Sequence, residues 1–249
     1  MRTPVMAGNW KMYKTARQAG DTIRTLAGLV AGVDGVEVVI CPPFTALAAA
    51  VEAAKGSCVT IGAQDCYWEK EGAFTGEVAV PMIADLGCSH CIVGHSERRQ
   101  FFGETDASVD KKVAAVLAHG LGCIACVGET LAEREAGQTF AVLERQVRNG
   151  LARHLTSPRL VVAYEPVWAI GTGKTATPAQ AQEAHAFIRG VAAQAANPAA
   201  AQAVRILYGG SVKPDNVAAL MAQPDVDGGL VGGASLDAAS FAKIVRFRE

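Results

Sequence analysis

The chain has 249 residues, of which 50% are apolar and 19% charged, and its 23 basic and 24 acidic side chains leave a formal net charge of −1. This length suits one large domain, and the composition is that of a folded protein with a sizeable core. The balanced charge disfavours electrostatic binding to nucleic acid or to an anionic membrane. No apolar signal region precedes the first strand-like run and no stretch resembles a membrane span, so we expect a cytoplasmic protein.

The seven cysteines are an odd number and lie mostly in apolar runs, which favours reduced, buried thiols over a disulfide framework. Two pairs have the C-x-x-C spacing of zinc sites: Cys88 with Cys91, and Cys123 with Cys126. The second pair lies in a predicted strand, where residues three apart point to opposite faces. Core packing is therefore the preferred interpretation and structural zinc the alternative, so no metal site is expected.

Short runs rich in Val, Ile, Leu, Ala and Cys recur along the chain and predict eight strands. They lie at residues 5–8, 36–41, 59–63, 91–93, 123–127, 160–164, 205–208 and 230–231. Longer segments between them have the apolar period of amphipathic helices. These predicted helices cover residues 15–30, 44–55, 107–119, 139–154, 178–193 and 236–247.

Successive strands begin about 32 residues apart, which is the size of one βαβ unit. The runs do not alternate between apolar and polar residues, as is typical of parallel strands that are buried on both faces. Eight such units favour a closed (β/α)₈ barrel over an open doubly wound sheet. We therefore predict an α/β protein with a single domain over residues 1–249.

In a barrel of this kind, ligands bind where the strands end, so the residues directly after each run are the candidates for function. Lys11 follows the first run, His95 the fourth and Glu165 the sixth. Gly-rich turns follow the seventh and eighth runs, at residues 209–211 and 232–235. A cation, an imidazole and a carboxylate at one end of a barrel could move a proton on a small anionic substrate.

Each of these side chains also has a structural interpretation. Glu165 ends an apolar run, so burial should raise its pKa and suit it as a general base, but a strand-end carboxylate can equally be an ordinary surface group. His95 can exchange a proton near neutral pH or can hydrogen-bond local backbone. Lys11 could hold an anionic oxygen or could be a surface lysine.

The two Gly-rich turns suggest a phosphate site, because backbone N–H groups without side chains can approach a phosphate closely. Tight-turn geometry is the structural alternative. The candidates are Gly210, Ser211, Gly232 and Gly233.

A further loop, at residues 168–176, contains at 173–175 the letters GKT of a nucleotide-binding P-loop, but Trp168 occupies the position of the first glycine of that motif. The loop contains two glycines and lies between Pro166 and Pro178. This arrangement favours a lid that closes over a small ligand.

Five segments, in this order, resemble the triosephosphate isomerase family: AGNWKM at 7–12, VGHSERR at 93–99, AYEPVWAIGTGK at 163–174, LYGGS at 207–211 and LVGGAS at 230–235. The resemblance spans the whole chain. It implies a TIM barrel that interconverts D-glyceraldehyde 3-phosphate and dihydroxyacetone phosphate through an enediolate, with no metal or organic cofactor. It also implies a place in glycolysis, gluconeogenesis and the pentose shunt.

By that resemblance, Glu165 is the base, and a neutral His95 polarises the substrate carbonyl and carries protons between its oxygens. Lys11 and Asn9 bind substrate and stabilise the enediolate, and Glu97 supports them. Backbone N–H groups of three further residues hold the phosphate, and Gly232 shapes the turn. These three are Gly171, Ser211 and Gly233.

The resemblance also places a lid over the substrate, which would exclude water and suppress loss of phosphate from the intermediate. The lid consists of Pro166, Val167, Trp168, Ala169, Ile170, Gly171, Thr172, Gly173, Lys174, Thr175 and Ala176.

Members of this family are typically homodimers, and residues 72–77 resemble their interface loop, from which Thr75 would reach toward the partner's active site. Two residues depart from the family pattern. Asp65 stands where Asn is common, which adds a charge near the expected interface and leaves the strength of the dimer open. Tyr13 stands where Asn is frequent.

Other functions remain as alternatives from the residues alone. Another phosphate-binding barrel isomerase fits the same rim, whereas an aldolase would need a Schiff-base lysine that the predicted strands do not contain. The GKT letters suggest a nucleotide-binding switch but lack the first glycine of that motif. A non-catalytic relative with complete motifs is the last alternative.

Overall fold

The structure is a computed structural model that describes residues 2–170 and 175–249. Eight parallel strands pair in chain order, and β8 pairs with β1, so the sheet closes into a barrel. This confirms the predicted (β/α)₈ architecture. The strands are β1 Val5–Asn9, β2 Glu37–Cys41, β3 Val59–Ala63, β4 His90–Val93, β5 Gly122–Val127, β6 Leu160–Tyr164, β7 Arg205–Tyr208 and β8 Gly228–Val231.

In most strands, alternate residues enter two separate apolar cores, which explains the missing polar alternation. In β6, Val161 and Ala163 belong to a small cluster inside the barrel, whereas Val162 and Tyr164 belong to the larger cluster between strands and helices. Both sides of the strand are therefore buried. The barrel is a packed core, and a ligand can be bound only at its ends.

The helices cover the outside of the barrel. They are α1 Ala16–Leu29, α2 Leu47–Ala54, α3 Val80–Asp85, α4 Ser96–Phe101, α5 Asp106–Ala118, α6 Leu131–Glu135, α7 Thr139–Gly150, α8 Pro178–Ala195, α9 Pro198–Ala203, α10 Val217–Met221 and α11 Ala238–Val245. Five of them, α3, α4, α6, α9 and α10, are not predicted from sequence. Each has five or six residues, too few to show a 3.6-residue apolar period.

The longer helices begin and end near their predicted limits. The helix predicted at 44–55 divides into a 3-10 turn, Phe44–Ala46, followed by α2. Similarly, the one predicted at 139–154 comprises α7 and a 3-10 turn at Ala152–His154. A capping box marks the start of α1: the Thr15 hydroxyl accepts a hydrogen bond from the Gln18 N–H, and the Gln18 side chain accepts one from the Thr15 N–H.

Strand β8 begins two residues before its predicted start. The prediction left out Gly228 and Gly229 because glycines are weak strand formers. Gly228 has a φ of +139°, and a Cβ placed on it would lie 2.0 Å from the carbonyl oxygen of Val5. Only glycine allows β8 to approach β1 this closely and complete the barrel.

Along residues 2–170 and 175–249, no helix combines the length and apolarity that crossing a membrane requires. All seven cysteines are free. Cys123 lies in the outer core and Cys126 inside the barrel, so the two side chains do not converge. The described ranges also contain no group of three or more His, Cys, Asp or Glu side chains arranged to hold a metal ion.

Candidate active site

The carboxylate of Glu165 lies at the carboxyl end of the barrel, directly after β6, and the residue is 2% exposed. Its Oε1 atom is 2.9 Å from His95 Nε2, and its Oε2 atom accepts a hydrogen bond of 2.9 Å from the Ser96 backbone N–H. The Ser96 hydroxyl donates a longer bond of 3.4 Å to Oε1. The ends of β4 and β6 thus bring together two of the predicted site residues.

Two glycines make room for this carboxylate and its backbone. A Cβ on Gly209, which follows β7, would lie 2.8 Å from Glu165 Cγ. One on Gly128, which follows β5, would lie 1.8 Å from the Glu165 carbonyl oxygen. Neighbouring strand ends must therefore carry glycine if a glutamate is to pack between them.

The expectation that burial leaves Glu165 with a raised pKa is wrong. Burial does act in that direction, but the facing His95 ring and the Ser96 N–H outweigh it, so the pKa of Glu165 is lowered below its usual value. Near neutral pH the carboxylate is ionised and able to accept a proton.

The ring of His95 is held at the start of α4, where it is the N-cap residue. Its Nδ1 atom accepts a hydrogen bond of 3.1 Å from the Glu97 backbone N–H, so in the neutral ring the proton is assigned to Nε2, which donates to Glu165. Burial lowers the pKa of His95, but the Glu165 carboxylate raises it more, and the net shift is upward. The negative charge of Glu165 thus favours the protonated ring, whereas the Nδ1 contact favours the neutral ring.

Lys11 follows β1 and has a φ of +52°, in the left-handed region that non-glycine residues rarely adopt. The Lys11 N–H donates to Asn9 Oδ1 at 3.0 Å, and Gln64 Nε2 donates to the Lys11 carbonyl at 2.8 Å. Its Nζ atom is 2.5 Å from Glu97 Oε1. Neighbouring side chains therefore hold a strained backbone conformation, as is common at functional sites.

The turn after β8 lies next to Lys11: a Cβ on Gly232 would be 3.7 Å from Lys11 Cε. Gly233 begins a 3-10 turn, Gly233–Ser235, and the carbonyl of its last residue accepts a hydrogen bond of 2.9 Å from Trp10 Nε1. This bond ties the predicted phosphate turn to the end of β1. Ser211 follows β7, and its carbonyl accepts a bond of 2.9 Å from Asn216 Nδ2.

Part of the predicted lid, residues 171–174, lies outside the described residues, and so does the predicted phosphate contact of Gly171. The beginning of the lid is held by the segment after β5. The Val167 N–H donates to the Glu129 carbonyl at 3.1 Å, and Trp168 Nε1 donates to Glu129 Oε1 at 2.9 Å.

Asp65 adds a negative charge, as the sequence indicates, and cations of the same chain pair with it. Its side chain is buried, with Oδ1 2.7 Å from Lys112 Nζ and Oδ2 2.8 Å from Arg98 Nε. Lys112 also lies 2.5 Å from Glu104 Oε1, so two carboxylates and two cations balance within the chain. By contrast, Tyr13 is 58% exposed.

Sequence reasoning missed several residues that hold the site. Ser96 directly follows His95, and its place beside a predicted site residue was the available signal. Gln64 directly follows β3, at the same end of the barrel as the other site residues, and this position was the signal for it. Cys126 lies inside the barrel next to Glu165, and burial together with that carboxylate raises the pKa of its thiol.

Comparison with known proteins agrees with this arrangement. A family profile described as triosephosphate isomerase matches residues 4–248. Proteins named triosephosphate isomerase from Geotalea uraniireducens, Trichlorobacter lovleyi and Moorella thermoacetica are 58%, 59% and 61% identical to the chain. These similarities cover 100%, 100% and 99% of the chain and the same shares of the three relatives.

Proposed function

The chain belongs to the triosephosphate isomerase family and interconverts D-glyceraldehyde 3-phosphate and dihydroxyacetone phosphate, and we propose that Glu165 is the base that moves the proton. The observation that carries this assignment is the buried, ionised carboxylate 2.9 Å from His95 Nε2, at the same barrel end as Lys11. A carboxylate that is not bound to a permanent cation can accept a proton from a C–H bond.

In the proposed reaction, Glu165 takes a proton from the carbon next to the substrate carbonyl, and the electron pair of that C–H bond forms the enediolate. The same carboxylate then returns the proton to the neighbouring carbon. Its present partners are the Ser96 N–H and His95, so it must leave them to reach substrate. This movement removes the main influence that raises the pKa of His95 and so favours the neutral ring.

Neutral His95 then polarises the carbonyl by donating from Nε2 and carries a proton between the two oxygens. The Nδ1 contact with the Glu97 N–H supports this role, because it leaves the Nε2 hydrogen for the substrate. Lys11, and Asn9 beside it, stabilise the negative charge that develops on the enediolate. Glu97 orients the ammonium group of Lys11.

The phosphate of the substrate is assigned to the backbone N–H groups of Ser211, Gly233 and Gly171, with Gly232 shaping the turn beside Lys11. The lid, residues 166–176, then excludes water from the enediolate. The bonds from residues 167 and 168 to Glu129 support a fixed starting point for it. The proposed reaction uses no metal or organic cofactor, because the carbonyl already acidifies the transferred proton.

The test is isomerisation of glyceraldehyde 3-phosphate by the purified protein, compared with Glu165→Gln. We expect rapid turnover by the parent protein and a loss of about 10²–10⁴-fold in the variant, the usual range for a general base. Circular dichroism serves as the control that both proteins are folded. Turnover by the folded variant at the rate of the parent would refute the base assignment.

We also propose that the active form is a homodimer, which acts in the cytoplasm in glycolysis, gluconeogenesis and the pentose shunt. Exposed apolar side chains support the dimer: Met12 is 93% exposed, Phe102 67% and Phe74 41%. Thr75 lies beside Phe74 in the exposed loop 72–77. Sedimentation equilibrium should give twice the chain mass, and Phe74→Glu should shift it toward the monomer; a monomeric parent with full activity would refute the proposal.

A further inference from the structure

Gln146 lies on α7, outside the barrel, yet its side chain makes two hydrogen bonds to the end of β5. Its Oε1 atom accepts a bond of 2.7 Å from the Gly128 N–H, and its Nε2 atom donates one of 3.2 Å to the Gly128 carbonyl. The residue is 4% exposed. Strand β4 pairs with β5 only as far as Ala125, so it does not reach Gly128. The buried Gln146 amide bonds the N–H and the carbonyl of Gly128 in its place.

The segment that Gln146 holds supports the backbone of the base. The Glu165 N–H donates to the Val127 carbonyl at 2.8 Å. Gly128 is packed so closely against Glu165 that a Cβ there would lie 1.8 Å from its carbonyl oxygen. A shift of Gly128 must therefore shift Glu165 as well.

The same segment continues into the contacts at the start of the lid. Directly after Gly128, the Glu129 carbonyl accepts the Val167 N–H at 3.1 Å, and the Glu129 side chain accepts the Trp168 indole N–H at 2.9 Å. Three consecutive residues, 127–129, thus contact Glu165 and the lid residues Val167 and Trp168.

We propose that Gln146 is a positioning residue for catalysis: its bonds to Gly128 set the position of the Glu165 backbone, and through it the reach of the carboxylate. The proposal rests on the role of Glu165 as base. Gln146 itself lies behind the strand end and touches no reacting atom.

The main test is Gln146→Met, which keeps the length of the side chain but removes both hydrogen bonds. We expect kcat to fall about 10-fold and KM to stay within about two-fold, because the carboxylate is misplaced while the phosphate site is unchanged. The matched control is Leu143→Ala, another buried residue of α7, which should lower the melting temperature and leave kcat unchanged. Equal kcat losses in both variants would show that Gln146 acts only through stability and would overturn the proposal.

A second variant, Gln146→Glu, provides a readout that a purely structural residue would not move. The ionised carboxylate can accept the Gly128 N–H but repels the Gly128 carbonyl, whereas the protonated form donates to that carbonyl as glutamine does. We expect the ratio of its kcat to that of the parent to rise as the pH is lowered. A ratio that does not change with pH would contradict the proposed geometry.

Failure of the base assignment would be recognised separately. If Glu165→Gln retains full turnover, Glu165 is not the base, whatever Gln146 does. Amide hydrogen exchange at Gly128 tests the positioning contact without any assay of activity: exchange should be faster in Gln146→Met than in the parent or in Leu143→Ala. Unchanged exchange would refute the assigned contact.

Discussion

Two histidine–carboxylate pairs lie at opposite ends of the same strand. After the carboxyl end of β4, His95 Nε2 is 2.9 Å from Glu165 Oε1, and at its amino end His90 Nε2 is 3.0 Å from Glu37 Oε1. Both histidines are buried. At the amino end, however, Arg205 also binds Glu37, and the hydroxyl of Ser89 lies 2.8 Å from His90 Nδ1.

The partners explain why only one pair suits catalysis. His90, by hydrogen bond and charge, and Arg205 lower the pKa of Glu37 to about 2 against the opposing effect of burial, so a proton is held only weakly. The His90 ring packs over Gly122, where a Cβ would lie 2.3 Å from its Cδ2 atom. Glu165, by contrast, must leave the His95 ring and the backbone N–H and hydroxyl of Ser96, and it borders a cavity of about 820 Å³. Further partners hold the histidine–carboxylate pair at the amino end, whereas the pair at the carboxyl end is the one that we propose for catalysis.

After Glu165→Gln, the largest effect should come from removing the cation at the reactive end. Lys11→Met should lower kcat/KM by about 10²–10³-fold, the cost of losing one preorganised group that stabilises an oxyanion. The matched control is Lys14→Met: this lysine also has a positive φ, but its ammonium group donates to Thr22 at 3.0 Å. Steady-state assays should show the control within about two-fold of the parent; comparable losses in both would argue against a specific role for Lys11.

Retracting each carboxylate by one methylene compares the two pairs directly. Glu165→Asp moves the carboxylate by about 1 Å and should lower kcat about 10²-fold. Glu37→Asp makes the same change at the amino end and should affect only thermal stability. The turnover and the melting temperature of both variants test this difference. A large loss of kcat in Glu37→Asp would show that the carboxylate at the amino end also takes part in catalysis.

Displacing His90 tests whether its pair with Glu37 is structural. Gly122→Ala places a methyl group into the His90 ring and should cost about 1–3 kcal/mol of unfolding free energy, typical of an overpacked core. We expect kcat to be unchanged once the variant is folded. Urea denaturation gives the free energy, and a variant as stable as the parent would show that the His90 ring can move without cost.

The last comparison concerns the pH dependence of stability. The folded-state pKa of Glu37, about 2, is below the ordinary value of 4.5, so its ionisation stabilises the fold above that value, and this contribution is lost as the pH falls through 4.5 toward 2. Glu37→Gln lacks the contribution. The difference in unfolding free energy between parent and variant should therefore shrink between about pH 5 and pH 3; a constant difference would refute it.

Much of the fold could be predicted because it depends on local patterns. All eight strands were located, since an apolar run bounded by polar or glycine residues is a local feature. Helices of five or six residues were not, because they are held by their neighbours rather than by their own amphipathic period. The start of β8 was missed for a similar reason: Gly228 is needed only because β1 approaches it.

The positions of three candidate site residues could be predicted from the sequence, but their electrostatics could not. Lys11, His95 and Glu165 follow strands, and the carboxyl ends of all the parallel strands of a barrel lie at one rim. The pKa of Glu165 was predicted in the wrong direction because the residues before it in the chain are apolar, whereas its actual partners, His95 and Ser96, lie at the start of α4. The pairing of Asp65 was not predicted, because its cations, Arg98 and Lys112, are distant in sequence.

The sequence by itself therefore determined the barrel, the family and the residues that form the rim, because strand period and strand-end motifs are encoded in adjacent residues. Only the tertiary structure decided which charges are paired, which carboxylate remains free to react, and that Gln146 contacts Gly128 from a helix outside the barrel. Those properties depend on distances between segments far apart in the chain, and electrostatic and hydrogen-bond energies are determined by such distances.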